Sequence, residues 1–262
     1  MHILITGGHS GIGLELTKRL LAEGHDIGLI VRTEKRVKDG LEEIEQSEKL
    51  NFFIADLSKR QDLLNVADQI KAKWPLIDGI FHNAGVLLDK AYYSAQGNEM
   101  HFEVNSLAPY FLSLELKSWL DKAEAPFIVN TATDAMHRQK PLDIPDLKKP
   151  KKFVKLIGSY MRSKYAMVLL MNHLAKEWPK VRIASVAPGA IKTKMTAGAG
   201  MPFFLVPIRN LFFSSPEAGA DKLYQAAFDK QFTDSSGIYI LKGKARPVKH
   251  QLTAKELAEI TA

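Results

Sequence analysis

"HILITGGHSGIG", His2 to Gly13, decides the fold. Five residues, His2 to Thr6, form a short apolar run of the kind that fills a buried strand. Three glycines follow, Gly7, Gly11 and Gly13, and then the amphipathic stretch "GLELTKRLLAEG". The order is strand, glycine turn, helix. Glycine is needed where the backbone turns sharply and where a pyrophosphate must approach main-chain N–H groups. The positive end of the helix then faces the phosphate charge. Glycine-rich turns of this kind also occur with no ligand, but their place in a strand–helix–strand unit favours phosphate binding.

The same alternation runs outward along the chain. Apolar runs at 26–31, 51–55, 77–82, 126–132, 181–187 and 237–240 read as further strands. Helical periodicity covers 59–73, about 98–120 and about 159–178. Short apolar strands between helices predict a parallel sheet covered on both faces. Right-handed crossovers make it doubly wound. The expected fold is α/β, a Rossmann-like parallel sheet of about seven strands, in one domain spanning 1–262. Two segments break the alternation: the basic, proline-containing 134–158 and the glycine-rich, then apolar, 194–214. Each follows the C-terminal end of a strand, where such sheets place ligand loops.

Composition narrows the chemistry. With no cysteine in 262 residues, disulfides, thiol nucleophiles and thiolate metal sites are excluded. The eight histidines show no helix-spaced pair beside a carboxylate, so no metal is expected. No apolar run reaches the roughly 18 residues that span a bilayer, and a strand from His2 leaves no room for a signal peptide. A cytoplasmic protein is expected. The net charge of +7 reads as a solvated basic surface. "KKPKK", Lys148 to Lys152, reads as an exposed loop rather than a nucleic-acid patch, because no aromatic is interleaved.

The second strand runs into "LIVRTEKR". A carboxylate there would hold ribose hydroxyls and repel a 2′-phosphate. Val31 is apolar instead, and Arg32, Lys35 and Arg36 follow. Arg32 offers a planar fork to a phosphate, which favours NADP(H) over NAD(H). "YMRSK" sets Tyr160 and Lys164 four residues apart, on one face of a helix. A nearby ammonium would lower the tyrosine pKa from its ordinary value of about 10 towards the range of a working acid/base.

"TGGHSGIG", "NAG" (83–85), "VNS" around Asn105, "YMRSK" and "APGAIKT" (187–193) occur in this order. Together they resemble the short-chain dehydrogenase/reductase family in its roughly 250-residue type. The resemblance covers nearly the whole chain. It implies an oxidoreductase that moves a hydride between nicotinamide and a carbonyl or alcohol. Thr6, Gly7, Ser10, Gly11, Ile12 and Gly13 would cradle the pyrophosphate. Arg32 would take the 2′-phosphate, and Asp56 and Leu57 would meet the adenine. Asn83, Ala84 and Gly85 would wall the cofactor. Pro188, Gly189, Ile191 and Thr193 would position the carboxamide. Asn105 would hold a water in a proton relay, Tyr160 would be the general acid or base, and Lys164 would bind the nicotinamide ribose and tune Tyr160. Blander roles stay open: Asn105 satisfying backbone groups, Asp56 capping a helix near Ser58, and Pro188-Gly189 forming only a turn.

One departure stands out. The family pattern "IVNVSS" aligns with "IVNTAT", Ile128 to Thr133, so Thr133 takes the place of the active serine. Threonine keeps the hydroxyl and adds a methyl group. The family also implies a homodimer or homotetramer through the helices at 105–120 and 160–178. The long gap from Thr133 to Tyr160 and the "LTAKELAEITA" terminus are weakly similar to retinol-dehydrogenase-type members. A cofactor-binding sensor without turnover remains the alternative. A second one is a membrane-surface enzyme anchored through 201–213, set against a substrate lid over the same residues.

Overall fold

The computed structural model describes residues 1–33, 41, 44, 47–134, 141–156, 158–193, 195–201 and 213–262. Lys35, Arg36 and most of the apolar 201–213 stretch, both singled out above, lie outside the described residues.

The strands are β1 (His2–Thr6), β2 (Asp26–Val31), β3 (Leu50–Ile54), β4 (Gly79–His82), β5 (Phe127–Thr131), β6 (Arg182–Ala187), β7 (Ile238–Leu241) and β8 (Lys244–Pro247). They form one sheet in the order β3-β2-β1-β4-β5-β6-β7-β8. Every neighbouring pair is parallel except β7 with β8. The expected doubly wound sheet is present, with one strand more than the seven expected. β8, "KARP", is exposed throughout and has no apolar alternation to betray it. It is a charged edge strand, the sort that discourages pairing with another chain. Lys242 and Gly243 join it to β7, both at positive φ, as a tight hairpin turn needs.

The period-two alternation of the strands sorts their side chains into two cores. Ile3, Ile5, Phe81, Phe127, Val129 and Val186 face α1 (Gly11–Ala22) and α7 (Pro216–Phe228). Leu4, Ile80, Ile128 and Ile183 face the opposite layer. That layer holds α2 (Arg60–Lys73), α4 (Ala108–Leu120) and α6 (Ser159–Glu177). Among the described residues there are also four short helices: α3 (Met100–Phe102), α5 (Ile144–Lys148), α8 (Lys230–Thr233) and α9 (Ala254–Thr261). Thr253 and Glu256 form a capping box at the start of the last of these.

Two expectations are corrected. The helix expected from about 98 to 120 is not continuous: α3 and α4 are joined by a π-helical turn, Glu103–Leu107, that contains Asn105. Segment 134–158, read as irregular, contains α5, started by the Asp143 carboxylate accepting from Asp146 N–H. Among the described residues no helix is long and apolar enough to cross a membrane.

The sheet leaves no room for a side chain at Gly79, where β4 meets β5. A Cβ at Gly79 would lie 2.1 Å from the Phe127 ring, its register partner on β5. Phe127 is itself packed edge-on against Phe81 and Phe228 and has nowhere to go. Gly79→Ala is therefore expected to destabilise the protein by about 1–3 kcal/mol through overpacking, read from urea unfolding midpoints. An unchanged midpoint would show that this contact relaxes freely.

Candidate active site

Strand order reverses between β1 and β4, and the chain leaves these two strands towards opposite faces of the sheet. A crevice must open there. A cleft of about 690 Å³ occupies that position. The ends of β1 and β4 are stapled together beneath it. Thr6 Oγ1 accepts from Asn83 N–H (3.1 Å) and Ala84 N–H (3.0 Å), and Asn83 Nδ2 donates to Gly7 O (3.2 Å). Thr6 is thus a buried support of the turn and does not line the cleft.

The glycine turn itself is shaped for close approach. Gly7 sits at φ +69°, and a Cβ there would touch the Ala84 backbone at 3.0 Å. Gly13 does not line the cleft; a Cβ on it would strike Gly7 O at 2.3 Å, so its role is to let α1 pack against the turn. Gly7, Ser10, Gly11 and Ile12 face the cleft. Ser10 is the N-cap of α1 yet makes no side-chain capping bond. The first N–H groups of α1 are left for an anion at the cleft, as a pyrophosphate site requires.

At the adjoining end, Val31 and half-exposed Arg32 line the cleft beside Leu57. Arg32 Nε lies 3.9 Å from Asp56 Oδ1. Burial works to raise the Asp56 pKa, but hydrogen bonds from the Ser58 N–H and hydroxyl, with the charges of Arg32 and Lys59, hold it below the usual carboxylate range. Asp56 is spent on Ser58 and Arg32 and lies outside the cleft lining. It does not cap a helix near Ser58, because α2 begins at Arg60 with Lys59 before it.

The far side gathers the chemistry. Thr133 lies just beyond the end of β5, Tyr160 and Lys164 lie on the first turns of α6, and all three line the cleft. Ala84, Gly85, Pro188, Gly189, Ile191 and Thr193 line it too. Lys164 Nζ donates to Thr131 O at 2.7 Å. Burial lowers the Lys164 pKa to about 8 and raises that of the Tyr160 phenol to about 12. The expected lowering of the tyrosine by its lysine is therefore not found in the protein alone. The ammonium points at a strand carbonyl, and removal from water dominates both groups.

Asn105 is close by but does not line the cleft. Its Oδ1 accepts from Val86 N–H (2.8 Å), and its Nδ2 donates to Val86 O (3.1 Å) and Ser163 Oγ (3.0 Å). Its side chain thus holds both backbone groups of Val86 and the Ser163 hydroxyl. A Cβ on Gly85 would meet Asn105 Oδ1 at 3.0 Å, which keeps that position free of a side chain.

Three features escaped the sequence. Tyr239 on β7 donates its hydroxyl to Thr133 O at 2.8 Å, fixing the backbone that carries the substituted residue. Only the sheet order brings residues 133 and 239 together. Met195 and Thr196 line the cleft from a short 3-10 turn, in a stretch whose glycines suggested only a loop. His82, buried at the end of β4, bonds Ser113 Oγ through Nε2 at 2.9 Å. Ser113 in turn donates to Pro109 O (2.7 Å), so it must accept from His82, and Nδ1 of His82 is left as a buried acceptor without a partner. Burial first, and then the Lys164 charge, lowers the His82 pKa to about 3.

The comparisons with known proteins follow this geometry. Residues 1–144 match the family model for short chain dehydrogenase, more than half of the chain. Human retinol dehydrogenase 13 is 27% identical over 257 residues, covering 93% of this chain and 77% of the relative. Two solved structures share the fold at low identity. The Brucella melitensis 3-ketoacyl-(acyl-carrier-protein) reductase complexed with NADH has a TM-score of 0.69, 21% identity, and coverage of 91% and 95% of the two chains. The Pseudomonas aeruginosa RhlG/NADP active-site complex has a TM-score of 0.72, 22% identity, and coverage of 92% and 94%. The chain belongs to the short-chain dehydrogenase family and is weakly similar to retinol dehydrogenases.

His82 makes stability depend on pH. Its folded pKa of about 3 lies below its ordinary value of 6.5, so the unfolded chain binds the proton first. This contribution is full above pH 6.5 and is lost as pH falls towards 3, about 3 kcal/mol by pH 4. Urea unfolding at pH 7 and pH 4 should show a smaller loss in His82→Asn than in wild type. Equal losses would show that His82 does not carry this dependence.

Proposed function

We propose that this protein is an NADP(H)-dependent oxidoreductase that interconverts a carbonyl and an alcohol, with Tyr160 as general acid and base. The observation that carries this reading is that Tyr160, Lys164 and Thr133 line the same cleft as the glycine turn. Phosphate binding alone has no need of those three side chains. When bound, the dinucleotide supplies or accepts the hydride. Ser10, Gly11 and Ile12 hold the pyrophosphate, and Asn83, Ala84 and Gly85 shape the wall behind the nicotinamide. Pro188, Gly189, Ile191 and Thr193, which line the same cleft, would receive the carboxamide.

In reduction the Tyr160 hydroxyl gives its proton to the substrate oxygen as negative charge develops there, and in oxidation the phenolate takes it back. With burial holding the phenol at about 12, Tyr160 is protonated at neutral pH, the form that a reductase needs. The Thr133 hydroxyl donates to the same oxygen and stabilises the developing charge. Lys164, which donates to Thr131 O at the strand end, would hold the nicotinamide ribose, and its charge would ease proton loss from Tyr160 once the cofactor is bound.

The cofactor choice rests on this chain's own residues, since fold neighbours hold NADH in one case and NADP in another. Support for NADP(H) comes from the apolar Val31 at the end of β2 and from Arg32 at the cleft rim. A 2′-phosphate there would replace Asp56 as the partner of Arg32. Arg32→Asp should weaken NADPH binding roughly 10- to 150-fold, the loss of one charge-assisted pair, with little effect on NADH. Titration of cofactor fluorescence measures both, and a wild type that already binds NADH better would refute the assignment.

Turnover tests Tyr160 and Thr133. Tyr160→Phe should keep NADPH binding and lose about 10²–10⁴-fold in kcat. Thr133→Ser should retain most activity, while Thr133→Val, nearly isosteric, should lose roughly 10²–10³-fold. Steady-state assays on any accepted aldehyde or ketone decide this. Wild-type kcat/KM in Thr133→Val would show that the hydroxyl does no catalytic work.

A further inference from the structure

A second buried pair of titratable side chains lies directly behind Tyr160. His101, on α3, is 1% exposed, and Glu99, which precedes that helix, is 0% exposed. His101 Nδ1 and Glu99 Oε1 are 2.8 Å apart. The other ring nitrogen, Nε2, accepts from Leu88 N–H at 2.9 Å. A nitrogen that accepts an N–H bond carries no proton, so the proton is on Nδ1 and is donated to Glu99. The Glu99 carboxylate also accepts from His101 N–H (3.0 Å) and Phe102 N–H (3.4 Å), and Glu99 N–H donates to Lys148 O (2.8 Å). The imidazole is thereby fixed in tautomer and orientation. Its ring stands edge-on to the Tyr160 ring, with centroids 6.2 Å apart and planes at 77°, and Phe153 lies 6.0 Å away at 30°.

The placement is economical. Asn105 and His101 lie one turn apart, and between them they pin the chain that follows the Asn83–Gly85 wall: Asn105 takes Val86, and His101 takes Leu88. Leu87, between the two, is the seat of the 198–201 turn, where a Cβ on Gly200 would meet Leu87 O at 2.4 Å. The Val86–Leu88 segment, whose Val86 lines the same cleft as Tyr160, therefore hangs on two side chains of one helical stretch. The fixed tautomer also rules out a relay. Nε2 is engaged by an amide that has no proton to pass, so this pair shuttles nothing to Tyr160.

We infer that His101, held in its Nδ1–H form by Glu99, is a positioning residue that sets the Tyr160 ring and the Val86–Leu88 wall for the reacting carbonyl. The inference rests on Tyr160 as the acid/base. Its function is geometric, and displacement of a catalytic group by about an ångström can cost up to roughly 10²-fold in rate. Removing the imidazole frees the edge of the Tyr160 ring and leaves Leu88 N–H without its acceptor. Replacing Glu99 with Gln removes the carboxylate that keeps the proton on Nδ1. The other tautomer would set Nε2–H against Leu88 N–H.

The test uses the full chain with NADPH and an accepted ketone, and rates are scaled to the NADPH-binding sites counted by titration. His101→Leu and Glu99→Gln should each lower kcat about tenfold or more, while NADPH Kd stays within about twofold because neither residue lines the cleft. Imidazole 15N spectra should place the His101 signal, identified by its loss in His101→Leu, as the Nδ1–H tautomer in wild type and shift it in Glu99→Gln. His101→Gln, which can again accept from Leu88 N–H, should recover part of kcat. Tyr160→Phe is run alongside. If it abolishes turnover while His101→Leu and Glu99→Gln keep wild-type kcat per site, the positioning role is wrong and the Tyr160 assignment survives. If Tyr160→Phe turns over normally, the assignment beneath both is wrong. A wild-type imidazole protonated on Nε2 would also overturn the inference. Loss of thermal stability with kcat per site unchanged would mean a packing role only, which overturns it too.

Discussion

Thr6 Oγ1 accepts two backbone N–H groups, those of Asn83 and Ala84, at the one point in the sheet where strand order reverses. The cleft depends on that small contact. At a reversal the neighbouring strands send their chains to opposite faces, so no helix crosses between them and a gap is left at their C-terminal ends. Two amides just past the end of β4 face this gap. The threonine hydroxyl satisfies both, and Asn83 reaches back to Gly7 O to close the turn from the other side. Losing such a buried acceptor costs about 1–3 kcal/mol for each stranded group. The glycine turn and the Asn83–Gly85 stretch are thereby held together along one border of the cleft.

Across the cleft, desolvation is the main influence. Lys164, Tyr160 and His82 lie in a poorly hydrated region, and in all three burial favours the neutral form. Local hydrogen bonds then decide what each neutral or charged group can do. Lys164 is directed to Thr131 O, His82 to Ser113, and His101 to Glu99 and Leu88. Tyr160 is left facing the cleft with a proton that it holds firmly at neutral pH. An anionic cofactor would change this balance, because its phosphates favour the charged form of Lys164. The charged lysine would in turn ease proton loss from Tyr160.

Much of this was legible in the sequence because it is local. The glycine turn, the apolar strands and the four-residue spacing of Tyr160 and Lys164 are each written within a dozen residues. The doubly wound sheet follows from their alternation. β8 was hidden because a charged edge strand lacks the apolar period that marks a strand. The π turn at Glu103–Leu107 interrupts a pattern that reads as continuous helix. Tyr239 under Thr133 and His101 behind Tyr160 depend on long-range register and on loop closure, which residue spacing does not encode. The tyrosine pKa went the opposite way from expectation for a similar reason. Spacing put a lysine near, but only the structure shows which way its amine points.

The central claim is that a carbonyl oxygen sits between Tyr160 and Thr133 while its carbon faces the nicotinamide. The most direct measurement is isotope transfer, in which the protein is incubated with NADPH carrying deuterium at nicotinamide C4 and with a set of apolar aldehydes and ketones. Each of the two C4 positions is labelled in turn, and the products are read by mass spectrometry and NMR. The account predicts deuterium on the former carbonyl carbon of at least one alcohol product, delivered from a single face of the nicotinamide. Tight NADPH binding with no deuterium passed to any carbonyl would contradict it.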